Sequence, residues 1–120
     1  VLKCLDRMQG GEIFVPKIPS VKITDLAKAM APKLPIEIIG IRPGEKIHEV
    51  MCPSDDSHLT VEFKDHFVIC PAIKYYFSRD YTTNMANEKG AMVEQGFEYN
   101  SGSNSDFLDV ERIKSYNQLI

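Results

Sequence analysis

Two residues that could together recognise an anion, Arg42 and Glu45, lie three positions apart in the stretch GIRPGEKIHE, residues 40–49. The guanidinium group of an arginine is a planar fork of five N–H donors, which can hold two oxygens of a diphosphate at once. A nearby carboxylate can accept hydrogen bonds from a sugar or a base. The pair therefore suits an anion that also carries hydroxyl or N–H groups. The alternative is a solvated ion pair beside a surface turn, and spacing alone leaves both interpretations open.

A second pattern, HEVMC from His48 to Cys52, is close to the metalloprotease motif His-Glu-x-x-His, with cysteine in place of the second histidine. On a helix these two side chains would share one face, and His58 follows nearby. Against a metal site, Pro53 comes directly after the pattern and no third ligand is evident. We therefore favour ordinary core or surface histidines, predict no metal ligand, and expect His66 in a surface turn.

The arginine and the glutamate are expected at a corner where a strand gives way to a helix. The apolar run of residues 36–41 predicts a short buried strand, and Pro43-Gly44 then supplies a turn. A helix should follow, with Glu45 in its first turn and an end at Pro53. Its apolar face would comprise Ile47, Val50 and Met51. In open α/β sheets, ligands bind beyond the carboxyl ends of strands, which is where this corner would lie.

The rest of the chain alternates short helices and strands. The pattern predicts a helix over residues 1–8, an extended segment over 13–18, a helix over 25–31 capped by Thr24, a hairpin with strands around 59–63 and 67–69, and a final helix from Asp109 to Ile120. The first helix has neither an initiator methionine nor a capping residue before it, so we expect the chain to be part of a larger protein.

The composition indicates one soluble globular domain: 120 residues, of which 43% are hydrophobic and 26% charged. No apolar run is long enough to cross a bilayer, so no membrane partner is expected. The net charge of −3 argues against nucleic acid as the partner. The three cysteines, an odd number with wide spacing, suggest reduced intracellular thiols.

Several stretches together resemble one enzyme family. They are GGEIFVPKIPS (residues 10–20), ITDLA (23–27), GIRPGEK (40–46), HEVM (48–51), FEYNSG (97–102) and FL (107–108). They resemble the C-terminal part of inverting UDP-N-acetylglucosamine 4,6-dehydratases, members of the extended short-chain dehydrogenase/reductase superfamily that act in pseudaminic acid and related surface-sugar pathways. The resemblance is specific in the first half of the chain and looser between residues 72 and 95.

The resemblance implies an α/β fold class, α+β for the isolated piece. Residues 1–120 would form the small C-terminal substrate-binding lobe, without the Rossmann core. By match to the family motif, Arg42 would hold the diphosphate of a UDP-sugar and Glu45 would accept a hydrogen bond from the nucleoside. Lys17, on the extended segment, would reach substrate or the neighbouring lobe, although a solvated lysine is the simpler interpretation.

The catalytic and cofactor-binding motifs of the superfamily are absent from these 120 residues. Neither Gly-x-Gly-x-x-Gly nor Tyr-x-x-x-Lys occurs. In the family, hydride leaves C4 of the sugar for NADP, water is eliminated across C5 and C6, and hydride returns to C6 with inversion at C5. The resemblance therefore implies that NADP(H) binds to another lobe, that this chain alone is inactive, and that the parent enzyme is cytoplasmic and homo-oligomeric.

A third hypothesis is a non-catalytic interaction module. The strand Phe67-Val68-Ile69 and the aromatic run Tyr75-Tyr76-Phe77 could cover a partner subunit. The same aromatic run, together with Tyr81, could contact a sugar or base, but clustered aromatic side chains more often pack in a core, and we prefer that interpretation.

Overall fold

The computed structural model describes residues 1–73 and 79–117. Its described elements are helices α1 (Leu2–Arg7), α2 (Ile23–Met30) and α3 (Val110–Asn117), a 3-10 helix (Ser54–Leu59), and strands β1 (Ile13–Pro16), β2 (Ser20–Val21), β3 (Val50–Cys52), β4 (Thr60–Glu62), β5 (His66–Ile69), β6 (Ala91–Met92), β7 (Tyr99–Asn100) and β8 (Phe107–Leu108). This mixture of helices and strands agrees with the expected α/β class. None of the described helices has the length and apolar character that crossing a membrane requires.

The chain divides into two compact units. Residues 1–17 and 50–100 form the first, and residues 18–49 together with the chain from residue 101 onward form the second. The predicted aromatic run Tyr75-Tyr76-Phe77 and the predicted helix end at Ile120 lie outside the described residues.

The first unit is built on a four-stranded antiparallel sheet in the order β1-β5-β4-β6. Strand β5 pairs on both sides and all four of its residues are buried. One buried cluster consists of Val15, Cys52, Phe67, Ile69 and Tyr99, and another of Val61, Phe63 and Val68. The β4–β5 hairpin confirms the predicted hairpin. The idea that Phe67-Val68-Ile69 covers a partner subunit is wrong, because these side chains already form the interior of this sheet.

The helix predicted between Glu45 and Pro53 is wrong. Residues 45–49 form no helix, and β3 (Val50–Cys52) pairs antiparallel with β7 (Tyr99–Asn100). The pairing buries Cys52 completely. A partner strand that lies about fifty residues away in sequence therefore overrides the local helical spacing, because burial and cross-strand hydrogen bonds outweigh a weak propensity.

The second unit pairs two helices with a two-stranded parallel sheet. Helix α2 packs against α3, and β2 pairs with β8. Asp109 caps α3 as predicted, since its Oδ1 accepts a hydrogen bond from the Arg112 amide at 2.8 Å. Thr24 does not cap α2, because that helix begins at Ile23 and Thr24 already lies in its first turn. Asp25 nevertheless lies in its first turn, as expected.

The apolar run of residues 36–41 does not form the predicted buried strand. The segment has no regular secondary structure, and its isoleucines are exposed; Ile38 is 82% exposed and Ile39 72%. None of the described strands pairs with this segment, so its backbone groups have no sheet partner, and its isoleucine side chains face water.

Candidate functional site

The predicted turn is present and presents Arg42 and Glu45 together. The Glu45 amide donates to the Arg42 carbonyl at 3.1 Å, which closes a four-residue turn around Pro43 and Gly44. Gly44 has φ of 85°, the conformation that a type II turn requires at its third position. Proline at the second position fixes φ before folding. Local chemistry therefore determines this part of the corner.

The two side chains of the turn contact each other. Glu45 Oε2 accepts a hydrogen bond from the Arg42 backbone amide at 2.8 Å, and Glu45 Oε1 lies 4.0 Å from Arg42 Nε. The Arg42 side chain is 72% exposed and that of Glu45 49%. No other described residue pairs with the guanidinium, so its outer N–H groups face solvent. An exposed pair at this distance contributes little to stability, which leaves these donors available to an anion.

Lys17 has a structural partner in the first unit, whereas Arg42 and Glu45 belong to the second. Its Nζ lies 2.6 Å from Glu62 Oε1 and 4.8 Å from the centroid of the Phe67 ring. These contacts explain the position of Lys17 without a ligand. A phosphate would have to compete with Glu62 for the ammonium group.

Ser101 and Gly102, which were not predicted as site residues, contact Glu49 and His48, a few positions after the Pro43-Gly44 turn. The Ser101 hydroxyl accepts a hydrogen bond from the Glu49 amide at 3.0 Å, and the Ser101 amide donates to the Glu49 carbonyl at 2.9 Å. The His48 ring lies against Gly102, where an added Cβ would come within 2.7 Å of three ring atoms. Ser101 and Gly102 belong to the FEYNSG stretch of the family resemblance, but their residue types did not predict a contact with residues 48 and 49.

The geometric basis of the metal hypothesis is wrong. His48 and Cys52 do not share a helix face, since residues 48–52 form no helix. Burial, and to a lesser extent the charge of Asp56, raises the pKa of the Cys52 thiol to about 11, so the thiolate that a metal needs is scarce at neutral pH. Within residues 1–73 and 79–117, no group of three or more potential ligands could hold a metal ion.

The glycine pair at the start of the chain does not form a dinucleotide cradle. Gly10 and Gly11 have φ of 110° and 89°, and they lead into the strand β1. A dinucleotide site instead needs a glycine-rich turn that opens a helix, so that the pyrophosphate meets the helix N-terminus.

His66 is buried, contrary to the prediction of a surface turn. It is 4% exposed and stacks on Phe63 at 4.7 Å and on Phe14 at 5.5 Å between ring centroids. Its Nδ1 lies 2.6 Å from Asp65 Oδ1, and because a carboxylate only accepts, Nδ1 carries the hydrogen. The hydrogen bond from His66, with a second from Arg7, lowers the pKa of Asp65.

The first unit also contains an open cleft of about 620 Å³. Apolar side chains and the glycines Gly10 and Gly11 line much of it, and its polar members are Gln9, His58, Arg79, Asp80, Tyr81 and Thr82. Arg42, Glu45 and Lys17, the residues predicted for substrate binding, do not line this cleft.

Comparison with known proteins places these features in context. Residues 1–71 match the family described as polysaccharide biosynthesis protein. A protein of Campylobacter jejuni serotype O:2, named UDP-N-acetylglucosamine 4,6-dehydratase (inverting), is 56% identical over 105 residues, which are 87% of this chain and 31% of that protein. The protein of the same name from serotype O:23/36 is 55% identical over 114 residues, or 94% of this chain and 34% of its own length.

This chain thus spans about one third of the length of these relatives. Among solved structures, the X-ray structure of Pen from Bacillus thuringiensis matches 99% of this chain with a TM-score of 0.71, and the match covers 35% of that chain. The identity is 24%, so this likeness concerns the fold alone. The two Campylobacter relatives confirm the resemblance inferred from the motifs.

Proposed function

The chain belongs to the family of polysaccharide biosynthesis proteins, and from this premise we propose that it is the nucleotide-sugar-binding part of an inverting UDP-N-acetylglucosamine 4,6-dehydratase. The identity of 55–56% to two proteins of that name, over 87–94% of the chain, is the observation that carries the proposal. The exposed turn supports it, because that turn offers a guanidinium and a carboxylate side by side.

Each residue of the turn has a distinct role in this proposal. The Arg42 guanidinium holds two diphosphate oxygens through parallel charge-assisted hydrogen bonds. Glu45 uses Oε2 to fix the Arg42 amide, which leaves Oε1 to accept a hydrogen bond from the nucleoside. Pro43 and Gly44 keep both side chains on one turn. Lys17 remains a weaker candidate for substrate contact, because it would have to leave Glu62.

The chain's own residues do not fit the dinucleotide cofactor that the family uses. No described glycine-rich turn opens a helix, and the sequence contains no Tyr-x-x-x-Lys. We therefore assign no catalytic or cofactor-binding residue to this chain. Its contribution to dehydration would be to bind and orient the UDP-sugar, which lowers the entropic part of the barrier. The remaining elements of the proposal are a cytoplasmic location and a homo-oligomeric parent enzyme.

The test uses a chimeric dehydratase, defined as the Campylobacter jejuni serotype O:23/36 protein with its aligned region replaced by this chain. Arg42→Lys should raise the KM for UDP-N-acetylglucosamine about tenfold or more. Lysine keeps the charge but loses the two-pronged contact, and one charge-assisted hydrogen bond contributes about 1.5–3 kcal/mol. Steady-state kinetics measure the effect.

Lys46→Ala is the matched control, because it removes one positive charge from the same exposed segment without changing the Arg42 guanidinium group. It should leave the KM within about twofold, in line with the small value of exposed charges. An unchanged KM in the Arg42→Lys enzyme would remove the arginine from the site.

A further inference from the structure

The second unit exposes an apolar segment that a folded protein normally covers. Between residues 34 and 47, six large apolar side chains are exposed by 44% or more: Leu34, Ile36, Ile38, Ile39, Ile41 and Ile47. Residues 36–41 contain one charged residue, Glu37. Single exposed apolar residues are common on protein surfaces, but a contiguous run marks an interaction site.

The backbone of this segment also makes no hydrogen bonds within the described part of the protein. Residues 35–41 make no hydrogen bond with any described residue, whereas the Leu34 amide bonds to Ala31 and the Arg42 amide to Glu45. The segment therefore carries a row of free N–H and C=O groups between two anchored ends. Such a row pairs readily with the edge of a sheet.

The side-chain pattern indicates what kind of sheet would pair with it. Successive residues of a strand point to opposite faces, so Ile36 and Ile38 belong to one face and Glu37 and Ile39 to the other. Gly40 has φ of 85°, so the alternation is interrupted there before Ile41. Each face thus carries isoleucine, and Glu37 is the one charged residue; a strand with apolar residues on both faces is typical of sheets covered by helices on both sides. Pairing with a second copy of this chain would satisfy the backbone but leave one or both apolar faces in water.

We propose that residues 36–41 form a docking strand, which adds to an open sheet edge in the larger remaining part of the enzyme. The size of the relatives supports this partner. The aligned region is 31–34% of the two Campylobacter proteins and 35% of the Bacillus thuringiensis structure, so about two thirds of each lies outside it. This docking strand rests on the proposed assignment of the chain to such an enzyme, but it does not depend on a role for Arg42 in ligand binding.

Hydrogen–deuterium exchange tests the proposal on this chain and on the chimeric dehydratase. The amides of residues 37–41 should exchange rapidly in the chain, because they are exposed and unbonded. In the chimera they should exchange about 100-fold more slowly or slower still, since they would then bond within a sheet. Rapid exchange of these amides in the folded chimera would overturn the proposal.

A pair of matched variants gives an independent measurement. Ile39 is 72% exposed and Met85, in the first unit, is 67% exposed. In the isolated chain, Ile39→Lys and Met85→Lys should each leave the Tm within about 2 °C, as surface changes do. In the chimera, Ile39→Lys should lower the Tm by about 5 °C or more, and Met85→Lys should not.

Three results contradict the proposal. The first is a loss of Tm in the isolated chain with Ile39→Lys, which would show that the segment already packs within this chain. The second is protection of residues 37–41 in the isolated chain that rises with concentration, which would make a second copy the partner. The third is a chimera whose Tm does not change with Ile39→Lys. If the chimera does not fold, lysine at the aligned position of the Campylobacter protein gives the same comparison.

Discussion

At the scale of single residues, Arg7 pairs with two carboxylates. It lies 2.7 Å from Glu88 and 3.2 Å from Asp65, and Asp65 in turn accepts the hydrogen bond of the buried His66. These contacts join α1, the β4–β5 turn and the segment before β6. Because the groups touch one another, the effect of removing one depends on the others.

The carboxylate of Asp65 gives the first unit a predictable acid sensitivity. His66, and then Arg7, hold the pKa of Asp65 below its ordinary value in the folded state. The contacts therefore stabilise the fold fully at a pH above about 4, the ordinary value for aspartate, and this stabilisation is lost as the pH falls through the lower, folded value. Asp65→Asn should remove it.

Urea denaturation between pH 2 and pH 7 measures this effect. At neutral pH, Asp65→Asn should lower the free energy of unfolding by about 1 kcal/mol or less, since a half-exposed ion pair is screened by water. The difference should vanish toward pH 2. Asp6→Asn, which removes an exposed carboxylate that makes none of these contacts, is the control. A difference that persists at pH 2 would show that the contacts act through packing alone.

At the scale of elements, the corner shows which parts of a fold a sequence can reveal. The Pro43-Gly44 turn was predicted because its determinants are local, a fixed φ and a permitted positive φ. The helix expected after it was wrong because the β7 partner of β3 lies far away in sequence. The strand expected at residues 36–41 does not form in this structure, because the described residues include no partner for it.

The same limit applies to the candidate site. The types of Arg42 and Glu45 and their spacing around a turn were sufficient to predict that they lie together, and the structure confirms this proximity. The support from Ser101 and Gly102 could not be predicted, because it depends on a loop more than fifty residues later in the chain. Lys17 looked like a free surface lysine, and its pairing with Glu62 required knowledge of the sheet register.

Gly102 offers a test of whether that loop supports the corner. An alanine there would place its Cβ within 2.7 Å of the His48 ring, so the ring must move. Because that ring belongs to an exposed side chain, the cost in stability should be less than about 1 kcal/mol. The NMR signals of the His48 ring should nevertheless shift in the isolated chain, and the KM of the chimera for UDP-N-acetylglucosamine should rise.

The double variant His48→Ala with Gly102→Ala tests whether Gly102 acts through its contact with the His48 ring. If the glycine acts only by accommodating the ring, the double variant should behave like His48→Ala alone. An unshifted ring signal in Gly102→Ala, or fully additive effects on KM, would show that the loop does not position the corner.

At the scale of the whole molecule, the chain combines a well-buried sheet unit with a second unit that keeps an apolar segment exposed. The family could be predicted from the sequence because several motifs resemble it at once, and the α/β class followed from that resemblance. The division into two units was not evident. It depends on which distant segments pair, as when residues 50–100 join residues 1–17 across the intervening thirty-two positions.

The 120-residue chain should produce no 4-keto-6-deoxy sugar from UDP-N-acetylglucosamine, with or without added NADP. Dehydration by this family's route needs a bound dinucleotide to remove and return hydride, and the sequence contains neither Gly-x-Gly-x-x-Gly nor Tyr-x-x-x-Lys to hold one. A coupled assay for product, run on the chain and on the chimeric dehydratase at equal concentration, measures the difference. Turnover by the chain that disappears in its Arg42→Ala variant would show that catalytic groups lie within these 120 residues, and the assignment of this chain to substrate binding alone would then fail.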